Sequence, residues 1–468
     1  MLSKGSPLHG LEPAHRALAQ GHYETAFALL ESALLKQRRA QDQARVMLYL
    51  AAAYALYGED GLEGGLRCLS EAVDADPQIA QDPLYRALYW EFGAYRGDAR
   101  SDVRRGALAA AEGGDGVAAY HAASALIIVG AYKRARRVLE ACEPEALPVY
   151  LQWRRYSLLG QALESSGDYA GAAGQYQEAV ARSRGSDQQA ERLNVAGCQI
   201  EAGRADLALT ILAQVEEDLL EPVEQAVRRY LEGRAHLALG NPNQALEWLL
   251  RARLQEEAAG EPSYGLYVAL AQTYASLGQR KRAIEAYLQA LELAAEGQRA
   301  VTLHEYAYTL FEDDQLLEAR DNLWKVVQDE RYPFRAEVYA DLAEIEFRLG
   351  NFANADDLAR RALDLGAVAS ACLCLGNLAC EYYRFDEAVE WFEQAASASR
   401  EGELDWLVAQ EMLADTLVQR GFDQPGRVLK HAEAALRHLN PSEEWAITLR
   451  DYAARARDML GGQQRILN

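Results

Sequence analysis

One pattern recurs along almost the whole chain, and its period decides what the chain can fold into. It is plainest in YVALAQTYASLGQRKRAIEAYLQALEL, from Tyr267 to Leu293. Leu270, Ala271 and Tyr274 share one face of a first helix and Gly278 interrupts it. Ala283, Tyr287 and Ala290 then follow the four-and-three spacing of a second helical stripe. Glycine suits the interruption because, lacking a Cβ, it takes positive φ at a helix C-terminus without steric cost. The small Ala271 and Ala283 let two helices approach closely, and Tyr274 and Tyr287 fill the space around them.

Turns of the same kind fall at Gly21, Gly58, Gly97, Gly130, Gly167, Gly203, Gly240, Gly278, Asp314, Gly350, Tyr383 and Gly421, at intervals of 33 to 39 residues. Five residues after most of them stands alanine: Ala26, Ala135, Ala172, Ala208, Ala245, Ala283, Ala319, Ala355 and Ala388. Seven residues before stands a small residue: Ala14, Ala51, Ala123, Gly160, Ala196, Gly233, Ala271, Ala307, Ala343, Gly376 or Ala414. A fixed period of this size marks stacked repeats. A length of 468 residues would otherwise suggest about three globular domains. Stacking removes that requirement, because each repeat completes its core against its neighbours. The residues are 50% apolar, enough for such a core, and prolines number only 12.

The small residue, the aromatic three further on, the glycine, and the following alanine, aromatic and alanine resemble the tetratricopeptide repeat (TPR). The resemblance implies an all-α fold, a right-handed superhelical solenoid of about twelve helix-turn-helix repeats, closed by a C-terminal capping helix. The expected division is a flexible arm over 1–10, the solenoid over 11–440, a capping helix over 441–460 and a disordered tail over 461–468. The third copy is the least regular, since RSDVRRGALAAAEGGDG has a weak stripe and many glycines, so a bend is expected near 98–116. Asp314 must serve as a turn residue, which its tolerance of left-handed geometry allows. Tyr383 departs from the pattern, and a tighter or differently bent turn is expected there. Pro425 and Gly426 push the expected start of the last repeat's second helix to about Arg427. Ser442, with Glu444 in the first turn, opens the cap.

A net charge of −22 argues against general binding to nucleic acid or anionic membranes, where basic surface supplies most of the affinity. MLSKGSPLHG lacks the apolar core of a secretory signal. The most apolar stretch, ASALIIVGAY, is interrupted by Gly130 and too short to span a bilayer, so no membrane insertion is expected and the cytoplasm is the expected location. Of six cysteines, Cys68, Cys142 and Cys198 are scattered, while Cys372, Cys374 and Cys380 share a helix. Cys372 and Cys374 point about 200° apart on that helix, so they read as small core residues rather than metal ligands.

Motifs for chemistry fail in turn. GxSxG is absent and there is no GK dipeptide, hence no P-loop. His304-Glu305 begins like HExxH but Tyr308 stands where the second histidine belongs. Gly114, Gly116 and Ala119 match GxGxxA by letters but follow an alanine-rich helix rather than a strand. Catalysis, a bound metal and a cofactor are therefore not expected.

The resemblance implies instead a concave groove lined by the first helices, at positions two before, one after and four or five after the small residue. Those positions hold Ser124, Ile127, Gln161, Asn194 and Arg234 in earlier repeats and Gln272 and Ser276 in the middle. Later repeats offer Glu305, Tyr308, Phe311, Glu312, Asp341, Glu344, Phe347, Glu381 and Asp415. Arg154 and Glu411 lie further back along their helices. The late half is acidic with interleaved aromatics, which suits a basic or amphipathic partner segment. Chaperone-binding members of the family carry a two-carboxylate clamp, but Ser157, Val227 and Leu231 stand where its residues should be. The expected function is a non-enzymatic scaffold holding a protein or peptide in its groove. The alternatives are a peptide-responsive receptor acting through a partner protein, or a self-associating assembly element. With repeats beginning near residue 11, no DNA-binding helix-turn-helix is expected ahead of them.

Overall fold

The structure, a computed structural model, describes the backbone of residues 11–466 and side chains through residue 461. The arm expected over 1–10 lies outside the described residues. All the regular elements described are helical, and the chain divides into two compact units, Met1–Pro262 and Ser263–Asn468.

Unit 1 is seven helix pairs. They are α1 (Glu12–Ala19) with α2 (Tyr23–Lys36), α3 (Ala40–Ala55) with α4 (Leu62–Ala75), and α5 (Pro83–Tyr95) with α6 (Arg100–Gly113). Next come α7 (Gly116–Ile128) with α8 (Tyr132–Glu140) and α9 (Val149–Glu164) with α10 (Tyr169–Arg182). The last are α11 (Gly185–Glu201) with α12 (Ala205–Leu212) and α13 (Pro222–Ala238) with α14 (Pro242–Ala259). Unit 2 is five pairs: α15 (Tyr264–Ser276) with α16 (Arg280–Leu293), α17 (Glu296–Glu312) with α18 (Leu316–Val327), and α19 (Arg335–Arg348) with α20 (Phe352–Leu365). The pairs α21 (Val368–Glu381) with α22 (Phe385–Ala398) and α23 (Leu404–Gln419) with α24 (Pro425–Leu436) follow, and α25 (Glu444–Ile466) packs on α24. Within each unit every second helix touches the next first helix, so each unit is an α-helical solenoid.

All twelve turn residues have positive φ, including Asp314 at 62° and Tyr383 at 57°. The Tyr383 turn is therefore left-handed like the glycine turns, and closes as the Gly278 turn does. The Arg384 amide reaches the Ala379 carbonyl at 2.8 Å, as the Gln279 amide reaches Tyr274. This is the Schellman closure, which satisfies carbonyls the helix end leaves open. The nine alanines that follow the turns by five residues are all completely buried.

A size rule accompanies them. A Cβ on Gly160 would lie 2.7 Å from Tyr176, and one on Gly233 2.6 Å from Leu249. In each case the large residue sits nine places after the turn and fills the room that glycine leaves. The third pair inverts the rule: Trp90 takes the small position and Gly106, nine after Gly97, receives its indole. The irregular stretch 98–116 is thus largely helix α6, seated through this exchange. The last repeat's second helix starts at Pro425 rather than Arg427, since proline suits a first helical turn. Helix α25 begins at Glu444 and continues to Ile466, past the end expected near residue 460.

Candidate partner-binding surface

In unit 1 the first-helix residues are largely engaged with one another. Arg154 on α9 is 7% exposed. Its guanidinium lies 4.2 Å over Trp153, donates to the Tyr150 carbonyl at 2.7 Å and donates to the Tyr23 hydroxyl at 2.8 Å, with Asp187 at 3.7 Å. Tyr23 belongs to the first repeat, so this bond joins residues 131 positions apart. Helix α1 packs directly on α9, and His15 sits between Tyr49 and Tyr150, with ring centroids at 5.6 and 5.2 Å. Arg154 is therefore not part of an open surface, which a repeat-by-repeat register does not reveal.

Beside it, Ser157 donates to Glu191 at 2.6 Å, and the exposed Asn194 reaches the same carboxylate at 3.4 Å. Burial pushes the Glu191 carboxyl up to about 7, against the lowering effect of those two hydrogen bonds. Arg234 pairs with Glu201 at 2.7 Å, across one repeat. Gln161 is exposed.

Unit 2 begins with a similar ladder. Gln272 donates to both Glu305 oxygens at 3.2 and 3.1 Å, and the Tyr287 hydroxyl adds a bond at 3.1 Å. His304 bridges the Tyr332 hydroxyl and Asp341, each at 2.8 Å. Tyr332 lies between helices, where the repeat pattern assigns no role and so carries no signal for it. Farther along, Tyr452 donates to Asp415 at 2.7 Å.

Between these links lie residues with little to hold them. Tyr308 is 50% exposed, with the ring of Phe311 at 6.3 Å. The Arg348 guanidinium stacks 4.7 Å over Phe311 and pairs with Asp314 at 2.6 Å, so a cation already occupies one aromatic face. Glu344 is only partly exposed. Burial, with a smaller push from Asp341, raises its carboxyl above the usual range despite nearby Arg348. Phe347 contacts Phe352 at 5.6 Å. Glu381 is exposed, and burial followed by the Asp415 charge raises the Glu411 carboxyl.

The structure brings Gln272, Tyr287, His304, Glu305, Tyr308 and Glu312 around one open pocket of about 540 Å³. Tyr308, Phe311, Asp341 and Glu344 meet at a smaller cleft beside it. The arrangement offers negative charge over aromatic faces. Among the described residues no group of three or more His, Cys, Asp or Glu side chains is placed to hold a metal ion. No described helix is long and apolar enough to cross a membrane.

A family model described as tetratricopeptide repeat matches residues 264–296, which are α15, α16 and the start of α17. No curated protein matches the sequence. Among solved structures, the chain is similar to the APC/C hetero-tetramer Cut9–Hcn1, at 14% identity over 97% of this chain and 96% of that one, with a TM-score of 0.44. It is also similar to the apo form of the quorum sensor NprR from B. thuringiensis, at 13% identity over 66% and 96% of the two chains, with a TM-score of 0.49. Pseudomonas aeruginosa pilF matches at 20% identity over 50% of this chain and 100% of its own, with a TM-score of 0.38. At these values the neighbours lend the chain no partner and no activity.

Proposed function

We propose, from the premise that this chain is built of tetratricopeptide repeats, that it is a protein-interaction scaffold whose unit 2 holds a basic or amphipathic segment of a partner protein. The observation that carries this reading is the stretch from Tyr308 to Phe347. There, aromatic and acidic side chains stand side by side while the polar residues around them are engaged with one another. A lysine or arginine of the partner takes the place beside Glu344, Asp341 and Tyr308 that Arg348 already models over Phe311. Apolar side chains of the same segment cover Tyr308 and Phe347. Charge sets the orientation and speeds encounter, and aromatic burial holds the complex.

The test is capture of partners from native extract with the full chain and with a Glu344→Ala, Phe347→Ala double variant, followed by crosslinking from position 308. The captured basic segment should fall at least about tenfold in the variant, because truncation of a buried aromatic anchor at an interface costs more than about 1.4 kcal/mol. Undiminished capture, or a bound small molecule with no protein, would remove the reading.

A further inference from the structure

The chain has 70 Asp and Glu against 48 Lys and Arg, yet residues 100–137 reverse that balance, with seven Lys or Arg against three Asp or Glu. The reversal lies on two second helices, α6 and α8. On α8, Lys133, Arg134, Arg136 and Arg137 cover an arc of about 160° at 100° per residue, opposite the buried Ala135 and Leu139. From this we infer that unit 1 carries a second docking surface, for a short acidic segment of a partner protein. It is independent of the unit 2 reading.

Some of these charges are neutralised locally. Arg136 pairs with Glu140 at 2.7 Å and Asp168 at 3.7 Å, and Arg105 pairs with Asp102 at 2.8 Å. Arg100, Lys133, Arg134 and Arg137 are exposed and have no carboxylate partner among the described residues. Arg104 reaches only the Val129 carbonyl, at 3.5 Å. Arg104, Lys133 and Arg134 converge on one pocket of about 360 Å³, walled also by Tyr132, Ser165 and Ser166, and none of its lining residues is acidic. Next to it, Arg134 and Arg137 border a larger hollow of about 630 Å³ with Leu108 and Val138 on its wall and three carboxylates, Glu112, Asp115 and Glu143, in its lining. A carboxylate fits the first pocket and an apolar side chain the second.

The size of the patch selects the partner. Duplex nucleic acid carries a charge about every 1.7 Å and runs on past any patch of this length. It would meet the rest of the chain, where 67 acidic residues face 41 basic ones. A short acidic segment ends within the patch, and beyond a Debye length of about 8 Å the remaining negative charge is screened.

Binding of a fluorescein-labelled eight-residue peptide of glutamates and leucines to the full chain tests this, read by anisotropy. Saturable binding is expected at 50 mM salt, weakening about tenfold at 200 mM, with at least tenfold loss in Lys133→Glu, Arg134→Glu. The Glu344→Ala, Phe347→Ala variant should bind as wild type, which separates this surface from unit 2. If charge reversal unfolds the protein, the milder Lys133→Gln, Arg134→Gln pair with an unchanged melting curve is expected to show the same direction of loss. No saturable binding, binding indifferent to these substitutions, or tighter salt-dependent binding of a 20-base-pair duplex or of phosphatidylserine vesicles would overturn the inference.

Discussion

Arg154 on α9 of unit 1 and Tyr308 on α17 of unit 2 both stand on first helices of their repeats and end in opposite situations. Arg154 is buried, stacked and bonded to a tyrosine four repeats earlier in the chain, and Tyr308 is half exposed with one aromatic neighbour. The local rule is shared by both units: a left-handed turn, a buried alanine after most of the turns, and a link to the next first helix. What differs is contact between repeats that are not neighbours in sequence, where α1 packs on α9. Within unit 1 that contact covers side chains which the repeat pattern alone leaves open. A candidate surface in such a chain is therefore set by which first helices are covered by distant ones, not by the register alone.

Cutting the distant contact gives the largest expected effect. Arg154→Ala removes a charged donor from Tyr23 and the Tyr150 carbonyl and leaves Asp187 without its nearby cation. A buried, hydrogen-bonded charge of this kind contributes about 2–4 kcal/mol. Hydrogen exchange should rise first in α1 and α2. Tyr308→Ala in unit 2, an exposed site, should cost under about 1 kcal/mol. Equal losses for the two would end the contrast between a closed and an open unit.

Two buried groups, one in each unit, answer pH in opposite directions. Glu191 in unit 1 has a folded carboxyl lifted by burial to about 7, well above an ordinary glutamate. Its proton stabilises the fold fully below the ordinary carboxylate range, and that contribution is lost as pH rises through about 7. His431 in unit 2, buried and 2.8 Å from Gln410, is pushed down to about 4 by burial first, with Lys430 and Arg427 adding. Its neutral form supports the fold above about 6.5, and that support is lost as pH falls towards 4. Denaturant unfolding at pH 5, 6 and 7 separates them. The wild-type advantage over Glu191→Gln should shrink as pH rises, by up to about 1.4 kcal/mol per unit. The advantage over His431→Gln should grow over the same range. The same sign for both would contradict the two burial arguments.

Much of the fold was legible because it is periodic. All twelve turns were readable from spacing, even where Asp314 and Tyr383 replace glycine, since the flanking alanines keep the register. The Trp90 and Gly106 exchange was also present in the sequence, but only for a reader comparing the positions seven before and nine after each turn. Helix α6 was hard to read from its stripe because the residues it buries, Val103, Ala107 and Ala110, are few and mostly small, with Gly106 taking the indole. The candidate site was legible only in type. The sequence supplied the acidic and aromatic residues at the first-helix positions. It did not say that Glu305 answers Gln272, that His304 and Tyr332 hold Asp341 in place, or that Arg154 is covered. Those facts depend on side-chain reach across a repeat or more, for which periodicity carries no information.

The smallest expected effect concerns the turns. Unit 1 uses glycine at all seven of its turns, whereas unit 2 places Asp314 and Tyr383 at two of five. A left-handed residue with a Cβ costs about 1–2 kcal/mol. Replacing Tyr383 by glycine removes that cost but adds backbone freedom to the unfolded chain, worth about 0.4–1 kcal/mol in the opposite direction. Tyr383 is 81% exposed and its one ring neighbour among the described residues is Phe385, edge-on at 6.1 Å, so little packing is lost. Tyr383→Gly should therefore stabilise unit 2 by about 0.5–1 kcal/mol. The reverse change, Gly278→Val, should destabilise it by about 1–2 kcal/mol, and for a purely conformational reason, since a Cβ there would meet nothing within 4 Å. If Tyr383→Gly instead lowers the melting temperature, the exposed ring has a packing role that its one aromatic contact does not account for.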